Sequence, residues 1–192
     1  MPGLVRPVTD ERDALCAYLT QQRFLLRTTA FGLTDKEAAR APSASSLCVG
    51  GLIKHCTAVE RSWMDTTLQR ESERTTDDFA SLFRVESGET LAGLVADYDE
   101  ACRDTDVTVA GLDLDMPVPV PQGVPWFPAG IDAWSLRWVL LHLIQETARH
   151  AGHADIVRES IDGARSFALV AAVEGQPETR WVKPWHRATP AE

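Results

Sequence analysis

One stretch constrains this chain more than any other. WSLRWVLLHLIQETARHAGHADIVRESIDG, Trp134–Gly163, carries apolar residues at helical spacing along its length. It closes on Asp162-Gly163, and glycine supplies the left-handed residue on which helices commonly stop. The stretch therefore reads as one long helix. At about 100° per residue, Leu140, Ile144, Thr147, Ala151 and Ala154 gather on one side, with Gln145 and Arg149 opposite. Glu146 and His150 fall between them, in line with Val139 and Val157, at the edge of the buried face. His142 and His153 lie slightly towards the polar side. The i, i+4 spacing of Glu146 and His150 places one side chain above the other, close enough to hold one ion. A solvated Glu–His pair has the same spacing, so this helix alone leaves both readings open.

The rest of the chain supplies partners for that helix. Thr9-Asp10-Glu11-Arg12 is a helix start, and Leu15, Leu19, Phe24, Leu25 and Phe31 carry a first helix over 9–31, up to Gly32. Residues 33–44 form a connector with a short helical turn at Thr34-Asp35-Lys36-Glu37. A second helix is expected over 49–71, with Leu52, Cys56, Val59, Trp63 and Leu68 inward and Gly50-Gly51 allowing close backbone packing at its start. His55 lies beside that stripe, one turn from Leu52 and Val59, as a core histidine or a ligand at a pocket mouth. Glu60 and Asp65 face away and are expected to be solvated. Residues 70–87 are polar and loop-like, anchored by Phe79, Leu82, Phe83 and Val85.

A third helix over 90–108 turns Leu91, Leu94, Val95, Tyr98 and Cys102 inward and Asp97, Asp99, Glu100 and Asp104 outward. That acidic face is a solvated one, because the glycine-centred loop of oxygen ligands that binds calcium is absent. Pro117, Pro119, Pro121, Pro125 and Pro128 exclude helix over 112–132. Val118, Val120 and Val124 alternate there as an extended crossover, with Trp126 and Phe127 plugging its end. Ser135 or Asp132 then caps the last long helix. Residues 166–172 form a short helix or strand, and the tail with Trp181 and Trp185 straps over the bundle, since exposed tryptophans are costly.

With 44% hydrophobic residues in 192, the chain can bury one substantial core, so a single domain over 1–192 is expected. Its net charge of −9 and lack of a clustered basic patch argue against nucleic acid. No apolar run approaches the roughly 18–20 residues needed to span a bilayer, and MPGLVRPVTDERD lacks the apolar core of a signal peptide. No membrane partner and a cytoplasmic location are expected. Cys16, Cys48, Cys56 and Cys102 form no C-x-x-C pair and read as buried free thiols. Phosphate-loop, dinucleotide, H-E-x-x-H and G-x-S-x-G patterns are absent. What remains is His55 on one helix and Glu146 with His150 on another. Two imidazoles and a carboxylate are a common donor set for a divalent metal that keeps an open position, and a bundle lets such ligands converge from facing helices.

The segments GLIKHCTAVERSWM, LRWVLLHLIQETARHAGHADIVRESIDG and RWVKPW carry a resemblance across the whole chain. Through RHAGHAD and the GL-x-KH-x-x-x-VE-x-x-W pattern, the sequence resembles the DinB superfamily, and within it the actinobacterial mycothiol-dependent S-transferases. The resemblance implies an all-α, DinB-like four-helix bundle and a metal held by His55, Glu146 and His150. Many DinB proteins place a third histidine where this chain has Glu146, and a glutamate there is similar to mycothiol-dependent maleylpyruvate isomerase. His153 stands where many relatives carry glutamine, which leaves a fourth-ligand or outer-shell role open. The implied metal is Zn2+, with Ni2+ or Fe2+ as alternatives, and mycothiol is the implied co-substrate. The implied activity is S-transfer from that small-molecule thiol to an electrophile, a detoxification chemistry, with His153 or His142 orienting substrate or shuttling a proton. A non-enzymatic metal- or ligand-binding stress-response bundle and a mycothiol-dependent isomerase are the alternatives. Trp181 and Trp185 can serve as pocket closure or as a homodimer contact.

Overall fold

The computed structural model describes residues 4–70, 76–122, 124, 127, 128 and 130–187, without the side chains of 76–79. Among those residues the α-helices are α1 (Glu11–Thr28), α2 (Asp35–Ala38), α3 (Val49–Thr67), α4 (Leu91–Ala110), α5 (Leu136–Asp162) and α6 (Ser166–Val173). The four long ones form the all-α bundle that the sequence implied, α1 lying against α5 and α3 against both α4 and α5. No helix among the described residues is long and apolar enough to cross a membrane.

The helix ends follow local chemistry. Asp10 caps α1 by accepting from the Asp13 amide. The turn expected to prolong α1 to residue 31 is tightened instead, with Thr29, Ala30 and Phe31 donating to Leu26, Arg27 and Thr28. Thr34 and Glu37 close a capping box around α2. The second long helix was expected to reach residue 71 but stops at Thr67. Gln69 takes a left-handed φ of 51°, and the Arg70 amide reaches back to the Asp65 carbonyl at 2.8 Å. This closure satisfies carbonyls at the helix end. α5 ends as expected on Gly163, with φ of 74°.

The proline-rich crossover contains a short antiparallel pair, β1 (Pro117–Pro119) and β2 (Ala133–Ser135), in which Val118 faces Trp134. Trp134 therefore belongs to a strand rather than to the long helix, which begins two residues later. Ser135, and not Asp132, caps α5 by accepting from the Trp138 amide at 3.2 Å. Phe127 packs beside Trp63 and Trp134, plugging the end of the crossover as expected. Trp126 and the Phe79 side chain fall outside the described residues.

The segment before α4 contains a 3-10 helix, Thr76–Phe83, whose end lies directly on the α3 glycines. A Cβ on Gly51 would stand 2.0 Å from the Phe83 carbonyl oxygen, and one on Gly50 2.6 Å from the Val85 side chain. The close packing read from Gly50-Gly51 is thus what seats Phe83 over α3.

Two apolar clusters fill the bundle. One gathers Leu26, Leu52, Ile53, Cys56, Leu94, Tyr98, Ala154 and Val157. The other gathers Leu15, Leu19, Trp63, Met64, Val109, Leu136, Val139, Leu140 and Leu143. Every long helix passes from one cluster to the other through polar residues: Arg23 on α1, Glu60 on α3, Thr105 on α4, and Glu146 to His150 on α5. Glu60, expected in solvent, is 1% exposed. Arg23 grips both its oxygens at 2.7 and 2.8 Å, and the Thr105 hydroxyl donates to it at 2.6 Å. The inward turn of α3 simply extends one residue further round than its apolar stripe shows.

Arg158 is a further buried charge that periodicity did not reveal. It binds Asp162, donates to the Thr29 and Phe31 carbonyls at 2.7 and 2.8 Å, and lies under the Trp185 ring. Trp185 is strapped down as expected, its amide bonded to Ala168 and its ring edge-on to Phe31. Trp181 is not: it is 79% exposed, with Arg180 over its ring. Cys48, Cys56 and Cys102 are buried free thiols, whereas Cys16 is half-buried.

Candidate metal centre

The polar layer brings together the three residues singled out from two distant segments. His55 comes from α3, where Leu52 and Cys56 on either side are fully buried and turn its ring inward to 2% exposure. Glu146 and His150 come from one flank of α5, Glu146 half-buried and His150 buried. The His55 Nε2 lies 3.3 Å from Glu146 Oε1, and the His150 Nε2 lies 3.2 Å from the same oxygen. One donor atom from each of the three falls within 4.8 Å of the others.

Those spacings fit a metal. Two ligand atoms bound to one tetrahedral zinc at about 2.0–2.1 Å lie roughly 3.3–3.4 Å apart, which is what both histidine nitrogens show relative to the carboxylate oxygen. Hydrogen bonds from His150 and then His55 hold the Glu146 carboxyl well below the ordinary carboxylate range, outweighing burial that pushes it up. The donor set therefore presents one anion between two imidazoles, the charge and atom types a divalent cation takes.

Neighbours fix the two rings. Phe83 stacks on His55 with centroids 4.1 Å apart and planes 20° from parallel, and it also approaches His150 at 5.8 Å. On the far side of His150, its Nδ1 meets the Nδ1 of His153 at 3.4 Å. With a metal on the His150 Nε2, its Nδ1 would carry the proton and the His153 Nδ1 would accept it. His153 is thus an outer partner of His150. Replacing it with leucine is expected to weaken zinc binding about 10–100-fold, read by competition with a chromophoric chelator; an unchanged affinity would show that the contact orients nothing.

His142 sits one turn before Glu146 in a different setting. It stacks on Trp138, centroids 5.1 Å and planes 5° apart, and meets Trp63 edge-on at 5.2 Å. Burial lowers its pKa, partly opposed by the Glu146 charge, and so favours the neutral ring. His55, Glu146 and His150, singled out in the sequence, lie together, but the sequence did not point to Phe83, whose place depends on the glycine seat, nor to the tryptophans beside His142. A signal for the latter was present: Trp134, Trp138, His142, Glu146 and His150 recur every fourth residue.

A four-helix bundle with a His-Glu-His donor set between two facing helices is the class of protein that this geometry defines. A family model described as Mycothiol-S-transferase matches residues 14–163, and the chain belongs to that DinB-like family. The fold is similar to a crystal structure described as the conserved protein of a locus from Enterococcus faecalis. That likeness has a TM-score of 0.64 at 13% identity and covers 82% of this chain and 100% of the other. No curated protein matches the chain.

Proposed function

We propose that the protein is a metal-dependent thiol S-transferase that joins mycothiol to an electrophilic carbon. The observation that carries this reading is the convergence of His55, Glu146 and His150 at zinc-ligand spacing in a chain of the mycothiol S-transferase family. His55, Glu146 and His150 would hold a divalent ion, zinc by preference for this donor set, whose positive charge would favour the thiolate form of a thiol at neutral pH. His55 and His150 supply neutral donors and Glu146 the single negative charge, which leaves net positive charge to favour an anionic sulfur. Phe83 and His153 hold the two rings in place. His142 and His153 lie nearest for orienting the acceptor or passing on the thiol proton. In the transfer a sulfur–carbon bond forms, the leaving group departs with its bonding pair, and the thiol proton goes to solvent. No protein cysteine is needed as nucleophile: burial raises the Cys56, Cys102 and Cys16 thiols, which keeps them protonated and unreactive. We place this detoxification chemistry in the cytoplasm, where low-molecular-weight thiols are kept reduced.

The test follows free mycothiol against an electrophile with zinc-loaded protein. Thiol is expected to disappear in step with product, and His55→Ala is expected to abolish this while circular dichroism keeps its helical signature. Thiol that is regenerated would mean an isomerase. Bound metal with no turnover across a panel of thiols and electrophiles would mean a binding module.

A further inference from the structure

Beside the donor triad, the facing rows of α3 and α5 continue as a set of packed aromatic rings. On α3, His55, Val59 and Trp63 follow one another at four-residue spacing, and on α5 so do Trp138, His142, Glu146 and His150. The two rows run in opposite directions. His55 meets Glu146 and His150 at one end, and Trp63 meets His142 and Trp138 at the other, at 5.2 and 5.5 Å between centroids. At 1.5 Å rise per residue, His142 stands about 6 Å along the helix from Glu146 and Trp138 about 12 Å. Trp134 completes the stack on Trp138 at 4.1 Å, with planes 5° apart. Trp134, Trp138, His142 and Val59 are all only half-buried, so the wall borders solvent on the same flank of α5 as the carboxylate.

The stacking decides what such a wall can hold. Trp138 has Trp134 on one face and His142 on the other, so no indole face is left on which a sugar ring can lie. What the half-buried Trp138 has left to present outward is its ring edge. The positive rim of an aromatic ring attracts the π face of another ring, and the tryptophans offer an anionic acceptor no cation. We propose that Trp138 and His142, backed by Trp134 and the buried Trp63, form the acceptor side of this site and select electrophiles whose reactive carbon is carried on an aromatic ring. This rests on the thiol-transfer reading above. A benzylic halide is the simplest acceptor of this kind: its ring lies against the His142 and Trp138 edges while its methylene carbon reaches back towards the triad. The sulfur–carbon bond forms as the carbon–bromine bond breaks, bromide leaves with the bonding pair, and the thiol proton passes to solvent.

Two readouts test the wall. In zinc-loaded protein with mycothiol, the ratio of kcat/KM for benzyl bromide to that for iodoacetamide is expected to fall about tenfold in Trp138→Leu, the size of a lost aromatic contact. Trp181→Leu, in the exposed tail, serves as the comparison. An equal loss on both acceptors, or no loss, would overturn the proposal. In metal-free protein, calorimetry with the unreactive probe 4-nitrobenzyl alcohol is expected to show a Kd about tenfold weaker in Trp138→Leu than in wild type. No binding to wild type, or equal binding to both, also overturns it. If neither acceptor is turned over but the binding difference is found, the transfer reading fails and the aromatic subsite stands.

Discussion

Protein carrying Glu146→Ala is expected to lose its metal, whereas the wild type, purified without an affinity tag, holds near one divalent ion per chain. The physical reason is charge. Glu146 supplies the only anionic donor of the three, and the oxygen that it turns to the centre is the one both histidine nitrogens approach, at 3.3 and 3.2 Å. Without it two neutral imidazoles remain, and the affinity loss exceeds the roughly 10–100-fold of an outer partner such as His153. Helical content is expected to persist, because Glu146 is half-buried and contributes to neither apolar cluster. Elemental analysis of both proteins after dialysis against zinc reads the result. A variant that still holds one ion per chain would remove Glu146 from the site. A wild type that takes up none would reduce the triad to a polar flank of α5.

How far the sequence led can be seen residue by residue. The four long helices are written in apolar periodicity, and α5 with its Gly163 stop is the clearest of them, because spacing along one element is local information. The triad was legible for the same reason on α5, where Glu146 and His150 lie one turn apart. His55 was less so, since nothing in α3 alone says what faces it across the bundle. The features that escaped are those made by two elements at once. Phe83 stacks on His55 because two glycines let a backbone come within contact distance of α3. Arg158 is buried because the end of α1 offers carbonyls to it. The end of α3 moved for a local reason, a left-handed Gln69, in a position where glycine or asparagine would have been the visible sign. Trp181 stayed in solvent because only Trp185 finds a partner ring and a buried guanidinium.

Glu60 is the clearest case of a charge misread from one helix, and it carries the largest expected effect on stability. On α3 its position falls just outside the apolar stripe, so in isolation it belongs in water. In the bundle Arg23 of α1 and Thr105 of α4 reach the same level and close around it, with Asp106 taking the remaining arm of Arg23 at 2.7 Å. Glu60→Ala leaves that guanidinium, itself 2% exposed, without the carboxylate that gripped two of its nitrogens. Breaking one side of a buried pair costs about 3–5 kcal/mol, against a total of roughly 5–15 kcal/mol for a folded domain. For a chain of this size that is a fall in Tm of about 6–20 °C, read by calorimetry or circular dichroism. The double variant Arg23→Met with Glu60→Leu is expected to recover most of the loss, because replacing both charges with apolar groups removes the buried guanidinium that would otherwise keep only the half-exposed Asp106. A single Glu60→Ala variant within about 1 kcal/mol of wild type would mean that water reaches Arg23 and that the layer between the two apolar clusters is wetter than its burial shows. Recovery in the double variant with the metal retained would separate this layer's two parts. The pair on α1 and α3 then serves the fold, while the donors on α3 and α5 serve the chemistry.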